Sequence, residues 1–220
     1  MASAAADLTL DELRLALAPA IADAAVFDGW SDAALISACE SEGHDPDVAR
    51  LAYPGGAMDM IAAWITSIDA AMDRALSREA LGVMKVRERI TALVQARLFA
   101  VAGREEALRR ALAIMAMPQN VARTARLGWA SADRMWRAAG DTATDYNHYT
   151  KRAILASLYA ATLAVYVDDE SEGKRDTHAF LDRRIENVMQ FEKVKAQLLR
   201  PDAERFSVTR FLGRLRYPSR

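Results

Sequence analysis

Ala138 to Ala153 reads AAGDTATDYNHYTKRA, which gathers two aspartates, an asparagine, two tyrosines, a histidine and a Lys-Arg pair. Asp145 and His148 lie three residues apart and share a face if the segment is helical. A carboxylate so placed can orient an imidazole for proton transfer. Hydrolytic chemistry of the triad type also needs a nucleophile, and no serine or cysteine is clearly positioned as one. His44 and His178 stand alone in the sequence. No H-x-x-H, E-x-x-H or C-x-x-C spacing occurs, so no metal site is signalled. Asp168 to Gly173 (DDESEG) lacks the alternating ligands of a calcium loop and reads as a solvated turn. The expectation is a protein without catalytic residues, metal or cofactor, and therefore not an enzyme.

The same residues suit docking better. Met135 and Trp136 end one helical stretch, Gly140-Asp141 turns the chain, and Asp145, Asn147, His148 and Tyr149 open the next. Aromatics and a methionine mixed with polar groups at a helix corner are the composition of a protein interface. The competing reading puts Trp136 and Tyr149 in the core and leaves Asp141 or Thr144 as a helix cap.

The elements that carry these residues are all helical. The chain has 220 residues, a net charge of −1, only 10 glycines and 6 prolines, and abundant alanine. Its single cysteine, Cys39, excludes an internal disulfide, suits a reducing compartment and reads as a small buried hydrophobe. Thr9-Leu10-Asp11-Glu12 is a capping box that starts a helix to about Phe27. Helices follow from Ser31 to Glu42 and from Asp45-Pro46 to Ala52. A Tyr53-Pro54-Gly55-Gly56 turn then leads to a helix bearing Met60, Trp64 and Ile68. Ser77 is read as the cap of one long helix whose apolar stripe is Val86, Ile90, Leu93, Val94, Leu98 and Val101, ended by Gly103. The next helix presents Leu108, Leu112 and Met115. Two short helices then reach Trp129 and Ala139, a long one runs from Thr144 to Val167, and another extends to about Leu199. The run after Lys151-Arg152, with Leu155, Tyr159 and Leu163, is apolar all round, as in a helix that is wholly buried or lines a cavity. With the stripe from Val86 and with Leu112 and Met115 it could wall a lipid pocket, an ordinary core being the alternative.

The two ends carry opposite charge. From Ser31 to Met60 there are six acids and one base, Arg50, a surface that repels nucleic acid. From Arg205 to Arg220 there are five arginines and no acid. Val208, Phe211, Leu212 and Leu215 there fall on one helical face, with Arg210 and Arg214 opposite. After Pro201, this reads as a membrane-surface helix, or as a terminal helix packed on its own domain or on a second subunit. The longest uncharged apolar run, Ala153 to Val167, has 15 residues, short of the roughly 20 a spanning helix needs. Neither a signal peptide nor an Arg-rich transit peptide is recognisable in MASAAADLTLDEL.

The segment AAGDTATDYNHYTKRAILASLYAATLAVYVDDES, with FLDRRIENV after it and FDGWSDAAL, YPGG and LAIMAMPQN before it, resembles the ubiquinone-biosynthesis accessory proteins. The resemblance implies a TetR-like helical bundle whose N-terminal helix-turn-helix is degenerate and not used on DNA. It implies a pocket for an isoprenoid quinone precursor or a phospholipid, a C-terminal amphipathic helix on the membrane, and a docking patch for a ubiquinone-pathway hydroxylase. On matching positions that patch comprises Met135, Trp136, Asp141, Asp145, Asn147 and Tyr149. His148 stands where the family pattern has a tryptophan.

The expected architecture is therefore all-α in three parts. Residues 1–75 form the degenerate helix-turn-helix region, 76–200 the lipid-binding bundle and 201–220 the membrane-contacting helix. The expected function is non-catalytic presentation of a polyprenylated quinone precursor to a hydroxylase. The location that goes with it is cytoplasmic, at the periphery of a bacterial inner membrane. A second copy of the chain is a further candidate partner. The alternative is a TetR-type, ligand-responsive transcription regulator.

Overall fold

Thr9 sets the first helix. Its hydroxyl accepts the Glu12 N–H while the Glu12 carboxylate accepts the Thr9 N–H at 2.9 Å, so two N-terminal donors are satisfied reciprocally. This computed structural model describes residues 8–142 and 146–198, with side chains for 8–142 and 148–190. Helix α1 spans Leu10–Asp28, and Gly29, at φ +67°, ends it. The chain continues through α2 (Asp32–Glu42), α3 (Pro46–Ala52) and α4 (Ala57–Ala75), each boundary placed as the sequence signals it. Ser31 and Asp45 cap α2 and α3 with their side chains.

Asp59 holds the entry to α4. Its carboxylate accepts the Gly55 N–H at 2.6 Å and pairs with Arg14 of α1 and with Arg123. A Cβ on Gly55 would sit 2.9–3.0 Å from that carboxylate, so a side chain there would push the Asp59 carboxylate aside. Asp59 is buried and internally paired, so it drops out of the acidic surface counted from the sequence.

The helix expected from Ser77 onward is two helices. Ser77 caps a short α5 (Arg78–Gly82), and α6 (Val86–Ala100) starts afresh. Arg89 stabilises the break by donating to the carbonyls of Gly82 (3.1 Å) and Met84 (2.9 Å), and also to Ala139 O (2.8 Å). After α7 (Glu105–Met115) the reverse correction applies. A single α8 (Val121–Ala138) replaces the two short helices expected, passing through Gly128 without a break. Helix α9 is Tyr146–Tyr166 and α10 is Arg175–Leu198.

Helix α4 packs against α1, α6, α7 and α8, with Met60, Trp64, Ile68 and Met72 buried. One apolar core runs from Leu13 to Ile185 and includes Cys39. Trp30 ties the front of the chain to the bundle: its ring lies 5.2 Å from Trp64 and its Nε1 donates to Ala107 O at 2.9 Å. No strand occurs among the described residues.

The loop after α9 is not simply solvated. Asp169 is buried; one carboxylate oxygen accepts the Ser171 N–H and hydroxyl, and the other accepts the Thr177 N–H (2.8 Å) and hydroxyl (2.6 Å). Burial pushes its pKa up, but these bonds outweigh it and hold the carboxyl well below the usual range. Asp169→Ala strands the fully buried Thr177. The expected loss, read by chemical denaturation, is about 2–3 kcal/mol.

Candidate functional site

Helix α9 separates two apolar recesses. One face, with Ile154, Leu155 and Leu158, joins Val86 and Ile90 of α6, Trp136 of α8 and Ile185, Val188 and Met189 of α10 around a groove of about 260 Å³. Another face, with Ala156, Tyr159, Ala160 and Leu163, closes a larger cavity of about 410 Å³ against α4, α6, α7 and α8. That volume lies in the roughly 300–1,000 Å³ range of small-molecule sites. Its other walls are mostly apolar, among them Ile61, Trp64 and Ile68 of α4 and Leu108, Leu112 and Met115 of α7. Gly128 of α8 also lines it, and a Cβ built there would meet nothing within 4 Å.

The residues expected to hold lipid therefore divide. Leu112, Met115, Tyr159 and Leu163 line the larger cavity, and Val86, Ile90 and Leu155 line the groove. Leu93, Val94 and Leu98 line neither; all three are buried in the core that supports both recesses. Helix α9 is not buried on every side, because Ala153, Ser157 and Ala160 are exposed while lining the cavity.

The α8–α9 corner is built around ion pairs. Arg152 is almost fully buried, donating to Asp133 at 2.5 Å, to Asp141 at 3.1 Å and to His148 O at 3.1 Å. Lys151 pairs with the other Asp141 oxygen at 2.7 Å and lies 5.3 Å from the Trp136 ring centroid. Trp136 Nε1 donates to Lys151 O at 3.0 Å. The Asp141 carboxylate is thus consumed in joining α8 to α9. Met135 is fully buried, so its contribution to any docking surface is support from behind.

What faces outward is aromatic. His148 and Tyr149 meet edge to face at 5.1 Å, and Trp129 lies 6.0 Å from Tyr149 and 6.5 Å from His148. Tyr149 is 62% exposed. Trp129 was not among the docking residues expected from sequence. It lies seven residues before Trp136, hence on the same face two turns away, a signal that splitting α8 had hidden. Asp145 and the side chain of Asn147 lie outside the described residues, as do Val208, Arg210, Phe211, Leu212, Arg214 and Leu215.

Burial raises the Asp141 pKa, but the bonds and charges of Lys151 and Arg152 more than offset this and hold it below the ordinary value. Asp59 and Asp169 are lowered likewise. A carboxyl depressed in the fold contributes its full stability above its unfolded pKa of about 3.9 and loses it as the pH falls further. Thermal melts are therefore expected to show no loss from these three groups near neutrality and a progressive loss below about pH 4.

Most of the chain superimposes on an all-α regulator. A TetR transcriptional regulator from Nitrosomonas europaea matches with a TM-score of 0.65 at 20% identity, over 81% of this chain and 98% of that one. The protein is thus an all-α bundle of the TetR fold, with a partly open cavity lined by α4, α6, α7, α8 and α9. Residues 121–192, a segment that holds the aromatic corner and α9, match the COQ9 family model. It is 33% identical over 168 residues to the mitochondrial ubiquinone biosynthesis protein COQ9 of Rattus norvegicus, covering 73% of this chain and 54% of that protein. The corresponding Homo sapiens protein is 32% identical, over 73% of this chain and 52% of its own length. The chain spans about half the length of these relatives. No helix among the described residues is long and apolar enough to cross a membrane.

Proposed function

We propose that this chain is a non-catalytic accessory protein of ubiquinone biosynthesis that shelters a polyprenylated quinone precursor, or a phospholipid in its place, and presents it to a membrane-associated hydroxylase. The observation that carries this reading is the cavity of about 410 Å³ lined by α4, α7, α8 and α9. The relatives' printed role in ubiquinone biosynthesis supplies the pathway. A polyprenyl tail is nearly insoluble, and each methylene moved from water into such a cavity contributes about 0.8 kcal/mol. The aromatic corner of Trp129, His148 and Tyr149 is the docking surface for the hydroxylase. The arginine-rich residues 201–220 are the contact with anionic lipid, at the periphery of the inner membrane.

The regulator reading is disfavoured by charge. Arg50, the single base of the second and third helices, is already held by Asp32 at 2.9 Å and Asp47 at 2.5 Å, so no cation there is left for phosphates. A salt-sensitive gel shift on the protein's own promoter would restore that reading.

Mass spectrometry of lipid extracted from the purified protein tests the proposal: an isoprenoid or phospholipid is expected, and its absence counts against the cavity reading. Flotation with anionic vesicles should weaken when residues 201–220 are removed. Trp129→Ala with Tyr149→Ala should reduce capture of the hydroxylase while leaving lipid content unchanged.

A further inference from the structure

The larger cavity has a polar spot. Arg97, on α6, is 1% exposed and forms part of its wall. Its Nη1 pairs with Asp69 of α4, and its Nη2 donates to Ser131 Oγ at 3.1 Å. The guanidinium carbon lies 4.7 Å from the Tyr159 ring centroid. Arg97 Nε makes no hydrogen bond among the described residues. The Ser131 hydroxyl accepts from Arg97 and donates to no other group described.

Such an arrangement is costly as a purely structural device. A buried ion pair is often matched or bettered by apolar residues of the same volume, and a buried donor left unpaired carries its full desolvation penalty. A guanidinium offers five donors, of which Asp69 and Ser131 take two. A ligand that uses the remainder would account for a cation at the wall of a greasy cavity.

We propose that Arg97, with Ser131 and Tyr159, forms a head-group subsite for a neutral lipid bearing a hydrogen-bond-accepting oxygen. The subsite rests on the lipid-cavity reading above and specifies it. The donors call for an acceptor, such as a carbonyl or ether oxygen. The Asp69 carboxylate already balances the guanidinium, so a fully anionic head would meet like charge beside its partner. The apolar walls take the tail.

The test compares three probes on the intact chain: a long-chain methyl ketone, the n-alkane of the same carbon count, and the alkyl phosphate of that length. Binding is read by displacement of a neutral fluorescent apolar dye. A hydrogen bond to a charged donor predicts that the ketone binds about tenfold or more tighter than the alkane. The phosphate should gain nothing over the ketone. Arg97→Lys keeps a cation for Asp69 but loses the planar fork. It should erase most of the ketone's preference over the alkane. Equal binding of ketone and alkane to the unaltered protein overturns the subsite but leaves the cavity reading standing. So does a ketone preference that survives Arg97→Lys, or a phosphate that binds tightest. Failure of all three probes to bind overturns both readings. Should Arg97→Lys not fold, Ser131→Ala is read in its place: a reduced ketone preference is expected, and an unchanged one overturns the subsite.

Discussion

Gly128→Leu is expected to make the protein more stable and less able to hold lipid at the same time. Gly128 lies mid-helix in α8, where glycine costs about 1 kcal/mol relative to a good helix former. Its position beside the larger cavity leaves room for a side chain, with nothing within 4 Å of a built Cβ. The leucine side chain would occupy space now available to about four methylenes of a bound tail. At about 0.8 kcal/mol each, that is a loss of roughly 3 kcal/mol of binding, or about a hundredfold in affinity. Thermal melts of the ligand-free protein should move up while dye-displacement affinity for a long-chain ligand falls. A variant that is stabilised yet binds lipid as tightly as before would remove the larger cavity from the account and leave the groove beside α10 as the site.

The second large effect concerns the buried pair. Arg97→Met leaves the Asp69 carboxylate without its partner in the interior, where both side chains are almost closed to solvent. Loss of one member of a buried ion pair costs about 3–5 kcal/mol, a large part of a domain's typical stability. Replacing both residues, with Asp69→Leu added to Arg97→Met, removes the unpaired charge and should recover most of that loss in a denaturant titration. Recovery would show that the pair is dispensable for folding, as expected of polar groups kept for a ligand. A double variant as unstable as the single one would instead make the pair a structural necessity of this core.

The helix boundaries at the front of the chain were legible because their signals are local. Thr9 and Glu12, Ser31, Asp45-Pro46 and the Tyr53–Gly56 turn each satisfy or deny backbone hydrogen bonds within a few residues, so they mark helix ends without reference to the rest of the chain. The boundaries that failed depended on distant partners. The break between α5 and α6 is held by Arg89, which also reaches across to Ala139, and the continuity of α8 through Gly128 follows from packing against α4, α6, α7 and α9. The aromatic corner was half legible: its composition showed in the sequence, but Trp129 was hidden by the wrong break in α8.

Sequence alone determined the helical class, the order of the elements, the acidic front and the basic end, because composition, capping and charge act over one or two turns. Only the tertiary structure decided that Leu93, Val94 and Leu98 are solid core while Leu112, Tyr159 and Leu163 face a cavity. An apolar stripe reads the same whether the opposite wall touches it or stands off. Only the tertiary structure brought Asp69, Arg97 and Ser131 together, from three helices. The cost of burying a charge is set by what surrounds it in space, and no local pattern records that.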